Sequence, residues 1–377
     1  MNKILTYLAA FCLSLSLLAG CMEWEYGEME TFDWSDLNHG AEISTPGASS
    51  DVAGKVLGNG LFITNEGNFQ YGNASLSFYQ PDTHRVENEV FRRSNAFKLG
   101  DVAQSMVIRK NTGWIVVNNS HVVFAIDINT FKEKGRITNL TSPRYIHFLS
   151  DEKAYITQLW DNRIFVVNPS SFEVTGYIDC PRMTMGNGST EQMVSYGKYV
   201  FVNCWSYQNR ILKIDTTTDQ VVGELEIGIQ PTSLVMDKNN KLWTITDGGF
   251  EGSPYGYEAP ALYRINPETF AVEAKFKFKK GDAPSEVQIN GRGDKLYWIN
   301  KSIWTMSVDA ENIPIRPFLE YQNTIFYGLT VNPVNGEVYV ADAIDYQQQG
   351  CIYRYSEAGE KIDEFFVGII PGAFCWR

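Results

Sequence analysis

The feature that most constrains the fold is a repeat that recurs seven times between residues 56 and 377, about every 46 residues. Each unit contains a β-rich segment that ends in an Asx, Ser or Gln turn. A repeat of roughly 40–50 residues is typical of one four-stranded blade of a β-propeller. Seven units therefore predict a seven-bladed propeller. The seven turns are Tyr79-Gln80, Ile126-Asp127, Val167-Asn168, Ile214-Asp215, Ile265-Asn266, Val308-Asp309 and Tyr355-Ser356.

The order of segments within a unit is constant, and we name the predicted strands a, b, c and d. The clearest unit has strands at residues 230–236, 241–245, 261–265 and 272–276. The segments alternate or are rich in β-branched and aromatic residues, and no sustained 3.6-residue periodicity is present. This pattern indicates an all-β chain made of four-stranded blades.

The two ends of the repeat region are complementary. The first unit begins at Leu61-Phe62-Ile63-Thr64 and has no strand a, whereas the chain ends with an unmatched strand a at residues 371–376. A blade assembled from both chain ends would close the ring and leave no open sheet edge. We therefore expect the C-terminal strand to join the first blade.

The N-terminus resembles a bacterial lipoprotein signal. A positive start at Met1-Asn2-Lys3 precedes an apolar stretch from Ile4 to Leu18, which is too short for a membrane span. Leu18-Ala19-Gly20-Cys21 then matches a lipobox. Residues 1–20 are predicted to be a signal peptide and Cys21 the lipidated residue. The alternative is an ordinary secretory peptide in which the cysteine is incidental.

An acidic segment follows Cys21. Residues 21–54 contain eight acidic residues and neither lysine nor arginine, so we interpret residues 21–55 as a solvated tether and residues 56–377 as the propeller. The whole chain has 44 acidic and 32 basic residues and a net charge of −12, which argues against nucleic-acid binding. The tether fits either export to the cell surface or a periplasmic location.

Four cysteines remain in the predicted propeller, and none has the spacing of metal ligands. Disulfides between Cys180 and Cys204 or between Cys351 and Cys375 are compatible with a location outside the inner membrane. Buried free thiols in strands are the alternative, and the sequence leaves both open.

The b–c loops of the units are rich in aromatic residues. In a propeller these loops gather on one face around the axis. Large rings mixed with amides and a few charges suit a bulky ligand that has both polar and apolar parts. The predicted ligand-binding residues are Phe69, Tyr71, Asn119, His121, Trp160, Asp161, Asn162, Arg163, Trp205, Tyr207, Gln208, Phe250, Tyr255, Tyr257 and Tyr346.

Signals for catalysis are weak. The four histidines have no metal-ligand spacing, and nucleophile-elbow, phosphate-loop and dinucleotide motifs are absent from the sequence. We predict a protein that is not an enzyme, without metal or cofactor. A propeller hydrolase stays as an alternative, because Glu66, Asp161, Asp247 and Asp345 could converge as carboxylates at the mouth of the ring.

The repeat is similar to a known family. The unit from Tyr199 to Leu234 resembles the YncE-like propeller repeats, and the resemblance covers residues 56–377. The lipobox, the acidic tether and the segment from Lys241 to Glu258 resemble the surface lipoproteins related to BtuG of the Bacteroides group.

This resemblance implies a role in capture. Such a protein would bind cobalamin or related corrinoids as a ligand, with Arg163 or Arg210 meeting the phosphate, and deliver them to a BtuB-like TonB-dependent transporter of the outer membrane. The implied location is the outer membrane, lipid-anchored and exposed at the cell surface. Two alternatives remain: capture of haem, a siderophore or a glycan on the same face, and a protein adaptor that binds only the transporter.

Overall fold

The computed structural model describes residues 60–183 and 189–377, and these form seven antiparallel sheets around one axis. The predicted signal peptide, Cys21 and tether lie outside the described residues. Within the described ranges, no helix is long and apolar enough to cross a membrane. The all-β prediction is confirmed; a short helix, α1 (Val90–Asn95), lies between blades 1 and 2, and a 3-10 turn spans Asn118–Ser120.

The sheets follow the chain order of the predicted units. Blade 1 contains β1 (Leu61–Asn65), β2 (Ser75–Gln80), β3 (Arg85–Glu87) and the last strand, β27 (Pro371–Trp376). Blade 2 contains β4 (Ala103–Arg109), β5 (Thr112–Val117), β6 (Val122–Asp127) and β7 (Glu133–Ile137). Blade 3 contains β8 (Pro143–Phe148), β9 (Ala154–Gln158), β10 (Arg163–Asn168) and β11 (Glu173–Asp179).

The other blades repeat this arrangement. Blade 4 contains β12 (Thr190–Tyr196), β13 (Tyr199–Cys204), β14 (Arg210–Asp215) and β15 (Gln220–Glu226). Blade 5 contains β16 (Pro231–Met236), β17 (Leu242–Thr246), β18 (Ala261–Asn266) and β19 (Ala271–Lys277). Blade 6 contains β20 (Ser285–Ile289), β21 (Lys295–Asn300) and β22 (Ser302–Ser307), and blade 7 contains β23 (Phe326–Val331), β24 (Val338–Asp342), β25 (Gln349–Tyr355) and β26 (Lys361–Ile369).

The ring closes through the C-terminal strand, which confirms that prediction. β27 pairs antiparallel with β1, in a register that places Trp376 opposite Leu61 and Ala373 opposite Thr64. The innermost strands of successive blades contact one another in a complete circle, β27 to β4, β8, β12, β16, β20, β23 and back to β27. The sheet order β27-β1-β2-β3 makes the C-terminal strand the innermost strand of blade 1.

Blade 6 differs from the predicted four strands. Its sheet has three strands within the described residues, and the expected fourth strand is replaced by an irregular segment. Pro314 and Pro317 lie in this segment and provide no N–H for a ladder. The segment still covers part of the edge of β22, because Ile303 donates to Leu319 O at 3.0 Å and accepts from Phe318 N at 2.7 Å.

The apolar core is divided into seven clusters, one between each pair of neighbouring blades. Alternate residues of one strand serve two neighbours: on β17, Leu242 packs towards blade 4 and Trp243 packs towards blade 6. Both faces of the central strands are therefore buried, which explains their nearly continuous apolar sequences.

The four cysteines of the propeller are free and buried. Burial raises the pKa of Cys180, Cys351 and Cys375 to about 12, and that of Cys204 well above its usual value. The structure thus corresponds to the free-thiol alternative, and neither of the two disulfides is formed. Thiols held protonated in apolar surroundings are unreactive.

Candidate functional site

The b–c loops and the connections between blades lie on one face, as predicted; we call it the upper face. Backbone hydrogen bonds join the two sets of loops, for example from Leu159 N to Ser142 O at 2.8 Å and from Cys180 N to Asn162 O at 2.8 Å. The longest b–c loop is bonded in the same way to the connection between blades 4 and 5, since Asp247 N donates to Gln230 O at 3.1 Å. The upper face therefore carries loops that are fixed to the blades.

Several predicted aromatic residues are exposed on this face. Phe69, Tyr71 and Phe250 keep much of their surface in solvent. Tyr255 is also exposed, and its ring lies 4.4 Å from that of Tyr207 across two neighbouring b–c loops. Tyr257 lies beside Lys280, whose Nζ is 4.5 Å from the ring centre.

Two predicted aromatic residues reach towards the axis. Trp205 donates from Nε1 to Asp247 at 3.2 Å, and the guanidinium of Arg144, on an innermost strand, lies 5.7 Å from its ring. The Tyr346 ring packs edge-on against Tyr327, another innermost residue, at 5.9 Å.

Gln230 connects the rings of blades 4 and 5. Its Oε1 accepts from the backbone N of Tyr207 at 3.2 Å, and its Nε2 donates to Asp247 at 2.9 Å. Trp205 and Tyr346 thus contact residues of innermost strands, and Tyr207 and Tyr255 are linked to Trp205 through Gln230 and Asp247. We call these four residues the aromatic rim.

The other predicted site residues make contacts within the loops. Asn119 donates to Asp101 at 2.6 Å, His121 Nδ1 bonds Thr141 O at 2.5 Å, and Gln208 is buried. Trp160 and Asn162 are half-buried beside Asp161. No observation on the upper face tests whether these residues bind a ligand, so that role stays a prediction.

The two arginines considered for a phosphate are already paired. Arg163 forms two bonds with Asp161, at 2.9 and 3.0 Å, and lies 4.4 Å from the ring of Tyr177 on the outermost strand. Arg210 is buried and bonds Glu224 at 3.1 Å. A phosphate would have to displace these carboxylates.

A feature that the sequence did not reveal lies below the rim. In all seven blades, the pairing between the innermost strand and its neighbour is interrupted directly after the first residue of the innermost strand. Such bulges re-aim side chains and are frequent beside functional sites. The residues at this second position are Gln104, Arg144, Glu191, Thr232, Glu286, Tyr327 and Gly372.

Glu66 fills the place that Gly372 leaves open. A Cβ on residue 372 would lie 2.6 Å from Oε1 of Glu66, so glycine makes room for the carboxyl. Oε2 of Glu66 accepts from the Tyr327 hydroxyl at 3.1 Å. We call Glu66, Gln104, Arg144, Glu191, Thr232, Glu286 and Tyr327 the channel ring.

Arg144 is the centre of the hydrogen bonding in the ring. Its Nε lies 2.9 and 3.0 Å from the two oxygens of Glu191, and its Nη1 donates to Gln104. Glu191 also accepts from the hydroxyl of Ser189. This ion pair joins blades 3 and 4, and the Gln104 bond extends it to blade 2.

Two carboxyls in the ring have strongly shifted pKa values. Glu66 and Glu286 are partly buried, and desolvation by the surrounding protein raises the pKa of each to about 7. Charge on Glu66 and Glu191 raises that of Glu286 further, while Arg144 lowers both. These interactions join blades 1, 3, 4 and 6, so the groups converge on the axis.

In the sequence, the members of the ring have in common only their position within the repeat. Six of its members, all except Glu66, follow the first residue of an innermost strand, as in Pro143-Arg144, Thr190-Glu191 and Ser285-Glu286. Each pair alone looks like an ordinary strand start. The shared position becomes informative once the strand bounds and the bulges are known.

The carboxylates of the hydrolase alternative have separate partners. Asp161 pairs with Arg163, Asp247 with Gln230 and Trp205, and Asp345 with the Gln347 and Gln348 backbone, while Glu66 lies in the ring. Across residues 60–183 and 189–377, no group of three or more His, Cys, Asp or Glu side chains is placed to hold a metal ion.

The Glu286→Gln variant should be more stable than the wild type at pH 8 and nearly equal at pH 4. A carboxyl whose pKa rises from 4.5 to about 7 on folding favours the folded state below pH 4.5, and this contribution is lost as the pH rises to 7. The difference in unfolding free energy should reach up to about 3 kcal/mol at pH 8. Equilibrium denaturation at both pH values measures it.

The exposed Glu251, in the long loop of the upper face, gives a matched control. Glu251→Gln should change the unfolding free energy little at either pH. A difference between Glu286→Gln and the wild type that does not vary with pH would contradict the assigned shift.

Comparison with known proteins agrees with the fold. A family described as a domain of unknown function (DUF5074) matches residues 59–368. No curated protein matches the chain. A quinonprotein alcohol dehydrogenase-like protein of Bacteroides thetaiotaomicron is similar in structure, with a TM-score of 0.61 at 14% identity over 84% of this chain and 77% of that one.

Two further solved structures show how varied such relatives are. The periplasmic gluconolactonase of Pseudomonas aeruginosa has a TM-score of 0.61 at 10% identity, covering 84% of this chain and 99% of its own. The Swd1 propeller domain of Myceliophteria thermophila has a TM-score of 0.59 at 10% identity, covering 78% and 97%. At these identities the likeness shows a shared fold, and a propeller fold does not specify a function.

Proposed function

The chain belongs to the family described as a domain of unknown function, DUF5074, and from this premise we propose that it is a non-enzymatic surface lipoprotein that captures a corrinoid such as cobalamin on its upper face. The observation that carries the proposal is the aromatic rim, whose four rings come from the upper-face loops of blades 4, 5 and 7. The sequence resemblance to the BtuG-related lipoproteins supplies the ligand class.

The chemistry of the rim suits this ligand. A corrinoid presents a wide ring edged with amides, which Trp and Tyr rings can cover and which Asn and Gln can bond. Trp205, Tyr207 and Tyr255 come from adjacent b–c loops and are connected through Gln230 and Asp247. Loops already fixed by backbone bonds lose little entropy on binding, which favours high affinity.

The proposed location follows from the N-terminal motif, and the proposed partner follows from the resemblance to the BtuG-related lipoproteins. A lipobox at Cys21 and an acidic tether fit a lipid-anchored protein of the outer membrane that is exposed at the cell surface. A protein in this position would pass its ligand to a TonB-dependent transporter.

Calorimetric titration of the purified protein with cyanocobalamin tests the proposal. We expect saturable binding that weakens at least about 100-fold in the triple variant Trp205→Ala, Tyr207→Ala, Tyr255→Ala. A central aromatic anchor at an interface typically contributes about 2 kcal/mol or more. The loss of three such rings should therefore weaken binding by more than about 100-fold.

Phe366→Ala is the matched control, because Phe366 is an exposed ring on the outermost strand β26. It should leave the affinity unchanged. Binding of haem or a glycan pool in place of cyanocobalamin would overturn the corrinoid assignment, and hydrolysis of gluconolactone above its spontaneous rate, lost in Glu286→Gln, would overturn the non-enzymatic role.

A further inference from the structure

Four lysines lie close together at the outer edge of blade 5. They are Lys275 and Lys277 on the outermost strand β19, and Lys279 and Lys280 in the turn that follows it. All four are exposed, and among the described residues no carboxylate lies within ion-pair distance of their amines. We call these four residues the lysine stripe. It is a concentrated positive charge on a chain whose net charge is −12.

The lysine stripe differs from the outermost strands of the other blades. β11 and β15 contain acidic residues and neither lysine nor arginine. In β3, β7 and β26, a basic residue pairs with a glutamate of the same strand. The one carboxylate of β19, on Glu273, is bonded to Lys241 at 2.7 Å. The charges of the stripe therefore lack the local partners that basic residues have on the other outermost strands.

Sheet pairing places Lys275 and Lys277 on one face of β19. They lie opposite Tyr263 and Ala261 of β18, and residues two apart in a strand point to the same side, about 6–7 Å from each other. Nζ of Lys275 lies 5.0 Å from the ring centre of Tyr263. This half of the stripe follows the side of blade 5 towards the upper face.

A turn at the end of β19 brings the other two lysines to the upper face. Asp282 N donates to Lys279 O at 3.1 Å, and Gly281 has a φ of +93°, which suits the third residue of a type II turn. Nζ of Lys280 lies 4.5 Å from the ring centre of Tyr257 in the long b–c loop. The stripe thus continues from the side of the blade to the base of this loop.

The long b–c loop adds aromatic rings beside the stripe. Its two arms pair at Gly249 and Tyr257, next to Phe250, which keeps 42% of its surface exposed. Neither Phe250 nor Tyr257 belongs to the aromatic rim. Lysines next to aromatic rings are typical of protein surfaces in the headgroup region of a membrane, where the amines meet phosphates and the rings reach the acyl boundary.

We propose that the lysine stripe, with Phe250 and Tyr257, is a contact surface for an anionic lipid bilayer, so that blade 5 lies on phosphate headgroups. Positive side chains are attracted to such a bilayer within a Debye length, about 10 Å at 0.1 M salt. The acidic residues on the far side of the ring lie beyond this range. The contact is separate from a lipid on Cys21, and it fixes the orientation of the ring on the membrane.

Two other roles account for less of the pattern. Lysines on an edge strand commonly prevent pairing between the edges of two sheets. Lys275 and Lys277 fit that role, but Lys279 and Lys280 lie beyond the strand. Binding of an acidic protein segment would use the four amines, but it does not account for the exposed ring of Phe250.

Vesicle binding of the full chain tests the contact, with Cys21→Ala to remove the predicted lipidation site. We expect co-sedimentation with vesicles made of equal parts of phosphatidylcholine and phosphatidylglycerol, and none with pure phosphatidylcholine. Binding should weaken at least about tenfold when the salt concentration rises from about 0.1 M to about 1 M, because the Debye length falls from about 10 Å to about 3 Å. This readout needs no change in the propeller.

Variants locate the contact. Each lysine near an anionic bilayer strengthens binding roughly fivefold, so replacement of all four stripe lysines by glutamine should weaken binding at least about 100-fold. Phe250→Ala should weaken it about threefold without changing the dependence on salt. The matched control removes the same charge from four exposed lysines around blade 2 and should bind like the parent chain. These control substitutions are Lys98→Gln, Lys110→Gln, Lys132→Gln and Lys134→Gln.

Several outcomes would overturn the membrane contact: no binding to the anionic vesicles, equal binding to neutral and anionic vesicles, full binding by the stripe variant, or equal losses in the stripe variant and its control. Saturable binding of poly-glutamate without binding of vesicles would assign the stripe to an acidic protein segment and would overturn the contact as well. Since no corrinoid is present, these outcomes leave the proposed corrinoid capture untouched.

Discussion

Deletion of residues 371–377 is expected to abolish the cooperative folded state. β27 supplies the innermost strand of blade 1, pairs with β1 and contacts β4 and β23. Without it the ring opens and exposes the edge of β1 together with two apolar interfaces. Because the whole folded state is typically stable by only about 5–15 kcal/mol, the loss of one closing strand is sufficient to unfold the domain.

The contacts of β27 explain the size of this effect. Cys375 belongs to the core between blades 1 and 2. On the other side, the ring centres of Trp376 and of Tyr339 in blade 7 lie 5.0 Å apart, and Nε1 of Trp376 donates to Oγ1 of Thr330 at 3.1 Å. Arg377 extends the pairing with the start of the first blade, because its backbone N donates to Gly60 O at 2.9 Å. The deletion therefore damages two cores and the backbone ladder together.

Thermal unfolding followed by circular dichroism measures the outcome. The truncated chain should show no sharp transition, and a synthetic peptide of residues 369–377 should restore one, whereas a scrambled peptide should not. Removal of Arg377 alone should have a much smaller effect, because β27 ends at Trp376. A cooperative transition at the wild-type temperature in the truncated protein would contradict closure by the C-terminal strand.

Replacement of Arg144 by alanine should destabilise the protein by about 3–5 kcal/mol at pH 8. The substitution leaves the buried Glu191 without the guanidinium whose Nε lies against both of its oxygens, and it removes the one positive charge from a ring of three carboxyls. Loss of one member of a buried ion pair has a cost of this size, because the other charge stays desolvated. Denaturant titration of the wild type and the variant at pH 8 gives the difference.

The same variant should be less affected at pH 5. The carboxyls that lose Arg144 can then take up protons, which removes the uncompensated charge. The double variant Arg144→Met, Glu191→Gln is the control, since it removes both charges while keeping similar volumes. It should recover much of the stability at pH 8; a double variant as unstable as Arg144→Ala would mean that packing around Arg144, and not charge, is responsible.

Local sequence patterns determined the architecture of this protein. The strand segments, their order, the seven units and the closure by residues 371–376 could all be predicted, because each depends on residues that are close in sequence or on the simple complementarity of the two ends. The number of strands in blade 6 could not. The repeat spacing there is ordinary, and in place of the ladder of a fourth strand the segment that contains Pro314 and Pro317 makes three backbone bonds with Ile303.

In the candidate site, too, one part could be predicted from the sequence and the other could not. The aromatic loops were visible, since each loop is one stretch of sequence, and the structure connects Trp205, Tyr207 and Tyr255 through Gln230 and Asp247. The channel ring was not visible. Its members come from seven segments spread between residues 66 and 327, and bulges that follow from sheet pairing turn six of them to the axis.

Sequence alone thus determined the repeat, the closing strand and the face that carries the loops. Tertiary structure decided which side chains meet, because Arg144, Glu191, Glu286 and Glu66 become neighbours only when the ring is closed. The pKa values near 7 have the same origin. Desolvation depends on the atoms that all the blades together place around a carboxyl, and no single repeat contains that information.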